Sequence, residues 1–385
     1  MHEKKRYCIF AAQYFPHLGG VERYTYNLSK KLIENGNEVV IVTSNVFHLA
    51  EYEVMDGIPV YRVPCINLLE GRYPVLKPTK EFRKIHKELM AQHFDMVIVN
   101  TRFYLHSLYA MQFAKKKKIK CITLDHGTSH LSVHNKFWDT VGGVYEHMLT
   151  AVDKIYCKDY YGVSGACNEW LAHFHIKAKG VLYNSIDLDE IEKMSKEKVE
   201  TYRKKYDIPE EATVITFTGR LLKEKGLPEL LNVMDMICEE RKDIYLFIAG
   251  DGDMEDEINQ RKTEHIIPLG RIDFKHIVAL LNESDIFCLP SFSEGFSTSI
   301  LEAVACKCYI LTTARGGAKE LLINDEYGTV IPTNKEDVLY DALISILDDV
   351  EHREKAVKLA YERVKTCFTW DIVAAQVEKI CEEKI

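Results

Sequence analysis

This sequence predicts an α/β protein of two doubly wound units facing each other across a cleft, and three observations predict it. Short apolar runs alternate with helical patterns from start to end, the signature of parallel sheets covered by helices on both faces. At 385 residues the chain is too long for one typical core. Residues 187–205 form a charged, poorly patterned stretch that interrupts the alternation and reads as a linker opening a helix.

In the first half, strands are predicted near Tyr7–Ala12, Val39–Thr43, Pro59–Val63, Met96–Asn100, Cys121–Leu124, Lys154–Cys157 and Val181–Tyr183. In the second half they fall near Val214–Thr218, Tyr245–Ala249, His265–Leu269, Ile286–Leu289, Tyr309–Thr312 and Gly328–Ile331. Ligands of such folds bind beyond the carboxyl ends of the strands, so the loops that follow them are where chemistry is sought.

The charged fraction of 28% and hydrophobic fraction of 46% are those of a soluble globular protein. No apolar stretch reaches the length of a membrane span, and Met-His-Glu-Lys-Lys-Arg leads straight into a strand, so neither span nor signal peptide is expected. The eleven cysteines are scattered, among them Cys8, Cys65, Cys121, Cys157, Cys288 and Cys381, and read as reduced thiols of a cytoplasmic protein rather than a metal cage. Residues 1–190 carry 24 Lys+Arg against 20 Asp+Glu, a balance of +4, which leaves −12 of the net −8 on the remainder. Lys77, Lys80, Arg83, Lys84 and Lys87 make one basic cluster, and Lys115 to Lys118 with Lys120 a second. They read either as contacts of a peripheral protein with an anionic membrane or as solvated charged faces.

The first strand runs into Pro16-His-Leu-Gly19-Gly20-Val-Glu22 and a helix with Val21, Tyr24, Leu28, Leu32 and Ile33 on one face, closed by Asn35-Gly36. Paired glycines there let a phosphate approach the backbone, although a tight turn alone would also explain them, and the dinucleotide fingerprint G-x-G-x-x-G is absent. Strand Cys121–Leu124 ends in Asp125-His126-Gly127, where a histidine can bond a sugar hydroxyl or act on a proton. His130 and His134 follow at a spacing that belongs to a loop, so no zinc site is read.

In the second half, strand Val214–Thr218 ends in Gly219-Arg220, followed by Leu-Leu-Lys223-Glu-Lys225-Gly226. An Arg fork and a flexible ammonium on this loop can neutralise a departing diphosphate. Gly250-Asp251-Gly252 and Gly316-Gly317-Ala-Lys-Glu320 place two more glycine-rich turns on the same edge. The fullest signal is Glu294-Gly-Phe-Ser-Thr-Ser-Ile-Leu-Glu302, a strand-to-helix turn bracketed by two carboxylates, with the helix predicted over Thr298 to Lys307. Gly295 frees the backbone, Ser297 can cap the helix, and the unpaired N–H groups of the helix's first turn form an anion site, with the turn Phe296–Ser299 facing it. A nucleoside diphosphate carrying a sugar fits this arrangement.

Taken in order, Gly19-Gly20, His126-Gly127, Gly219-Arg220 with Lys225-Gly226, Gly250-Asp251-Gly252 and Glu294 through Glu302 resemble the motifs of the family 4 retaining glycosyltransferases, which have the GT-B architecture of two Rossmann-like domains. The resemblance covers nearly the whole chain. It implies that Arg220 and Lys225 bind the donor diphosphate, that Glu302 binds the ribose hydroxyls, that Glu294 contacts the donor sugar, that His126 lies beside that sugar, and that Gly20 lies near the phosphates. The catalytic set expected is then His126, Arg220, Lys225 and Glu294. Donor contacts are expected at Gly19, Gly20, Gly219, Arg220, Lys225, Gly250, Arg271, Glu294, Gly295, Phe296, Ser297, Thr298 and Glu302. The last helix, around Trp370 to Lys384, is implied to return to the first domain, giving domains of 1–187 with 368–385, and 188–367. Tyr183-Asn184-Ser185-Ile186-Asp187 departs from the family pattern, where Asn-Gly is common before the linker.

The expected reaction moves a hexose or N-acetylhexosamine from a nucleoside-diphosphate sugar, UDP ahead of GDP, to a saccharide or lipid-linked saccharide, in surface polysaccharide or glycolipid synthesis. Fixed cations and helix N–H groups stabilise the charge that grows on the leaving phosphate, so neither a metal nor a cofactor is expected. Retention of configuration follows from the resemblance alone. The alternatives are a nucleotide-sugar epimerase of the same fold, which would convert donor without acceptor, and a non-catalytic glycosyltransferase-like binding subunit. A nicotinamide oxidoreductase is disfavoured by the missing fingerprint, and no nucleic-acid partner is expected.

Overall fold

The computed structural model describes residues 3–17, 19–130, 135–197 and 201–383. Two compact units divide the chain: Met1–Asn184 with Trp370–Ile385, and Ser185–Thr369. The boundary lies a few residues from the predicted 187/188 and 367/368 because Ile186 bridges Thr369, so both crossing segments are held together within the second unit.

The first unit is built on a sheet of eight strands, in spatial order Gly180–Val181, Asp159–Gly162, Lys120–Asp125, Met96–Asn100, Arg6–Ala11, Glu38–Ser44, Ile58–Val63 and Tyr52–Met55. All pairings are parallel except the last, where Tyr52–Met55 folds back on Ile58–Val63. That hairpin was not predicted. Its residues alternate between exposed and half-exposed, so no buried apolar run announces it. A second hairpin, Cys65–Leu68 with Tyr73–Leu76, was also missed.

Both faces of the central strands are covered, which explains their continuous apolar runs. On one face Tyr7, Ile9, Ile41 and Ile98 pack against Tyr24, Leu28 and Leu32 of the helix Gly20–Glu34 and against Trp370, Val373 and Val377 of the helix Trp370–Glu382. On the other, Cys8, Phe10, Val40 and Val97 pack against Ile85, Leu89, Met111 and Phe113. The C-terminal helix is tied on by Lys31 to Asp371 at 2.6 Å and by Asn37 Nδ2 donating to Glu378 at 2.7 Å. Lys384 lies outside the described residues.

One predicted strand is corrected. Lys154–Cys157 is not a strand; the helix Lys136–Tyr156 runs into it, and the strand begins five residues later than predicted, as Asp159–Gly162. Sequence periodicity misleads here because the helix is turned inside out, with Glu146, Thr150 and Asp153 buried and Phe137, Trp138, Val141, Val144, Met148, Val152 and Ile155 exposed.

The second unit carries a six-stranded, wholly parallel sheet in the order Ile266–Gly270, Ile244–Ala249, Thr213–Thr218, Ile286–Leu289, Tyr309–Thr313 and Thr329–Ile331. The order steps outward in both directions from Thr213–Thr218, so the loops after that strand and after Ile286–Leu289 leave the sheet at its topological switch point. The stretch read as a linker is largely helical, Leu188–Ser195 and Tyr202–Lys205, and belongs to this unit.

Candidate functional site

At the carboxyl edge of the second sheet, a short 3₁₀ turn Lys223–Lys225 and the loop after Ile286–Leu289 are sewn together through their backbones. Phe292 N–H donates to the Glu224 carbonyl at 3.0 Å, and Ser291 Oγ donates to the same oxygen at 2.9 Å. Gly226 makes this possible: its φ is +75°, and a Cβ there would collide with the carbonyl oxygen of Pro290. The consequence is a fixed ion pair, Lys225 Nζ to Glu294 Oε1 at 2.6 Å, with the two side chains 16% and 13% exposed. Arg220, exposed, precedes Lys225 on the same loop.

Beyond Glu294 the Gly295 carbonyl accepts the Gly317 N–H at 2.9 Å, and the Phe296 ring sits 5.2 Å from that of Phe368. The helix that follows is Thr298–Ala305, shorter than predicted because Cys306 ends it and Lys307 turns left-handed at φ +65°. Ser297 holds the N-cap position, but the cap predicted for it does not form. Its hydroxyl and that of Ser299 are 2.9 Å apart and satisfy each other, so the Ser297 side chain does not take up a first-turn N–H group. The first-turn N–H groups carry the positive end of the helix dipole at the Thr298 end. Glu302, partly buried, lies one turn inside.

Gly219 and Gly250 lie on adjacent strand ends, with Gly219 N–H on the Ala249 carbonyl at 3.1 Å and Gly250 N–H on Gly270 at 2.9 Å. Arg271 is not drawn into the Lys225–Glu294 pair. Two-thirds exposed, it stands 3.4 Å from Asp251, a partner that sequence reasoning did not single out. A larger hollow of 580 Å³, lined by Ser284, Asp285, Lys307, Arg353 and Tyr361 among others, opens at the amino end of Ile286–Leu289. It is on the wrong edge of the sheet for a ligand site of this fold.

In the first unit, Gly19 caps the helix Gly20–Glu34 in extended conformation. A Cβ on Gly19 would run into the buried carboxylate of Glu22, whereas one on Gly20 would meet nothing. Gly19 therefore makes room for Glu22, and Gly20 is the residue with an open approach. Glu22 is 3.2 Å from His17 Nδ1, and burial raises its pKa. A cavity of 180 Å³ lies here, lined in part by Gln13, His17, Gly20, Glu22, Thr101 and Tyr104.

His126 follows the strand Lys120–Asp125, its ring edge-on to Tyr24 at 4.9 Å. Asn100 Nδ2 donates to Thr25 Oγ1 at 2.7 Å, and Thr25 Oγ1 donates to the Val21 carbonyl at 2.8 Å. Asn100 Oδ1 is therefore the acceptor that faces His126 Nε2, at 3.1 Å. The ring proton sits on Nε2, and Nδ1 keeps its lone pair. Burial pushes the imidazole down to about 3, so it is neutral throughout the physiological range. Asn100 and Thr25 were missed by sequence reasoning. Asn100 carried one usable signal, a polar residue at the carboxyl end of a predicted buried strand.

The second basic cluster is largely committed to internal bonds. Lys117 Nζ donates to the Met90 and Gln92 carbonyls, at 3.0 and 2.6 Å, and buried Lys120 reaches the Ile380 and Glu383 carbonyls. Lys115 lies 4.9 Å from the Tyr156 ring centre, at the end of the outward-facing apolar helix.

Two family profiles match in tandem along the chain. "Glycosyltransferase Family 4" covers residues 18–190, and "Glycosyl transferases group 1" covers residues 198–363. The chain belongs to the family 4 glycosyltransferases. Among its relatives, an uncharacterized glycosyltransferase of Methanocaldococcus jannaschii is 25% identical over 99% of both chains. The phosphatidylinositol N-acetylglucosaminyltransferase GPI3 subunit of Saccharomyces cerevisiae is 25% identical over 95% of this chain and 80% of its own. The solved structure of Anabaena HepE in complex with UDP aligns with a TM-score of 0.73 over 98% of this chain and 99% of its own, at 16% identity, and so shares the fold. This glycosyltransferase thus has the GT-B class of fold. Among its described residues no helix is long and apolar enough to cross a membrane.

Proposed function

We propose that this glycosyltransferase transfers a hexose or N-acetylhexosamine, with retention, from a UDP-sugar to a saccharide or lipid-linked saccharide in the assembly of a surface polysaccharide or glycolipid. The observation that carries the reading is the Lys225–Glu294 pair at the head of a helix whose N-cap residue, Ser297, makes no side-chain cap bond. Lys225, Arg220 and the first-turn N–H groups of that helix receive the diphosphate and stabilise the charge that develops as the sugar–phosphate bond breaks. Glu294, held by Lys225, faces the sugar, and Glu302 takes the ribose hydroxyls. His126, neutral, accepts a donor hydroxyl on Nδ1; at a pKa of about 3 it is too weak a base to remove a proton from an alcohol. No step in this scheme calls for a divalent metal.

UDP is preferred over GDP because HepE, of like fold, is solved with UDP, and a lipid-linked acceptor is favoured by the phosphatidylinositol-modifying relative. The outward face of Lys136–Tyr156 supports that acceptor class: Phe137, Trp138 and Met148 are 67%, 59% and 67% exposed, with Lys115 and Lys158 at its end. Such a face suits the interface of an anionic bilayer better than water. Calorimetric titration with UDP, GDP and NAD, followed by UDP release from UDP-sugars with and without acceptor in chelator, tests the reading. Tight UDP binding with acceptor-dependent, chelator-insensitive release is expected. Donor conversion without acceptor would point to an epimerase, and absence of diphosphate binding to a non-catalytic subunit.

A further inference from the structure

Away from the loops described above, the first unit brings three histidines together. His130 follows the His126-Gly127 turn, His147 lies on the helix Lys136–Tyr156, and His173 ends the helix Gly165–His173. One ring nitrogen from each lies within 4.8 Å of the other two. The Nε2 atoms of His147 and His173 are 3.2 Å apart, close to the separation of about 3.4 Å that two imidazoles take on one tetrahedral zinc with bonds of about 2.0–2.1 Å.

The surroundings are those of a ligand set. His130 Nδ1 is 2.5 Å from Glu146 Oε2, so Nδ1–H donates to the carboxylate and Nε2 keeps its lone pair. A carboxylate behind a ligating imidazole sets its tautomer and raises its basicity. Glu146 is buried and anchored in turn by Arg102 Nη1 at 2.7 Å, and Asp125 stands 3.1 Å from Arg102 Nε. Trp170 stacks on His173 at 4.9 Å and 7°, and Phe174 lies 4.6 Å from His147, which holds both rings in place.

We infer that His130, His147 and His173 bind a transition-metal dication, zinc in the cell, with Glu146 as the supporting carboxylate and water in the fourth position. The ion ties the turn after His126-Gly127 to two helices and so steadies the segment that presents His126. This role is structural and independent of how the transfer reaction is read. The sequence reading weighed His130 with His134 and read no zinc site; His134 lies outside the described residues, and the partners brought to His130 come from two helices.

The test uses the whole chain after treatment with chelator. Co²⁺ is titrated and followed by its visible d–d absorption, and Zn²⁺ is titrated in competition with a chromophoric chelator, with Mg²⁺ as the hard-cation control. Saturation at one equivalent of Co²⁺ and of Zn²⁺ is expected, with no response to Mg²⁺. In His147→Asn and His173→Asn, Zn²⁺ affinity should fall by at least ~10-fold, the loss associated with damage to a metal's ligand shells. Both positions are exposed, and far-ultraviolet circular dichroism with thermal unfolding establishes that each variant folds. Zn²⁺ binding unchanged in both folded variants, or no saturable binding by the wild-type chain at micromolar metal, would overturn the assignment.

Discussion

Replacing Lys225 with alanine is expected to weaken UDP binding by about 2 kcal/mol, roughly 30-fold, whereas Glu294→Gln leaves it unchanged or tightens it. The opposite signs follow from the pair itself. The ammonium and carboxylate are 2.6 Å apart and about one-seventh exposed, so their charges interact at an effective dielectric of about 20 and are worth about 6 kcal/mol before desolvation removes most of it. A diphosphate adds charge-assisted hydrogen bonds to the same ammonium, worth about 1.5–3 kcal/mol each. Deleting Lys225 removes them. Neutralising Glu294 removes a competitor for the ammonium and a like charge beside the phosphates, a gain of up to about 1 kcal/mol, while the contact to the sugar is lost and kcat falls. Titration calorimetry with UDP at two salt concentrations, alongside UDP-release kinetics, separates the two effects. Lys225→Ala binding UDP within twofold of wild type, or Glu294→Gln losing UDP in step with it, would refute the assignment of Lys225 to the diphosphate. Thermal unfolding of each variant checks that neither result comes from collapse of the loop.

Gly226→Ala should cost at least about 2 kcal/mol, since it adds left-handed strain to a collision with the Pro290 carbonyl, and should impair UDP binding with the Lys225 loop intact in sequence; unfolding and calorimetry report both. His126→Ala is expected to lower kcat/KM by about 10–100-fold equally from pH 5 to 9, because the imidazole is already neutral across that range; an acid limb that vanishes in the variant would contradict this. Burial pushes the Asp153 carboxyl up to about 8, so the folded state keeps a proton that the unfolded state releases above pH ~4, and stability falls by about 1.4 kcal/mol per pH unit as pH rises from ~4 to 8. Asp153→Asn should therefore gain on wild type in Tm with rising pH over that window and run parallel to it below. Trp138→Glu with Met148→Glu should abolish sedimentation with anionic vesicles, while charge reversal at Lys117, already bonded to carbonyls, should change stability more than binding.

The doubly wound architecture was legible because strands buried on both faces must be apolar throughout. Met96–Asn100 and Ile286–Leu289 stand where the apolar runs placed them, and the motif loops fall at their carboxyl ends as parallel topology requires. Tyr52–Met55 escaped because an edge hairpin buries too little to leave a pattern. Lys154–Cys157 was misread because the outward side of Lys136–Tyr156 is the apolar one, which reverses the usual relation between hydrophobicity and burial.

What the sequence determined by itself was the order of short, local features: glycine-bearing turns, strand ends and the residues attached to them, all set by backbone chemistry within a few positions. Pairings across the chain were decided only by tertiary structure. That Lys225 finds Glu294, that Asn100 sets the tautomer of His126, and that His147 and His173 converge on His130 depend on how strands and helices far apart in sequence are packed. Side-chain contacts of that kind are fixed by the fold's geometry, at a precision of tenths of an ångström that no spacing along the chain encodes.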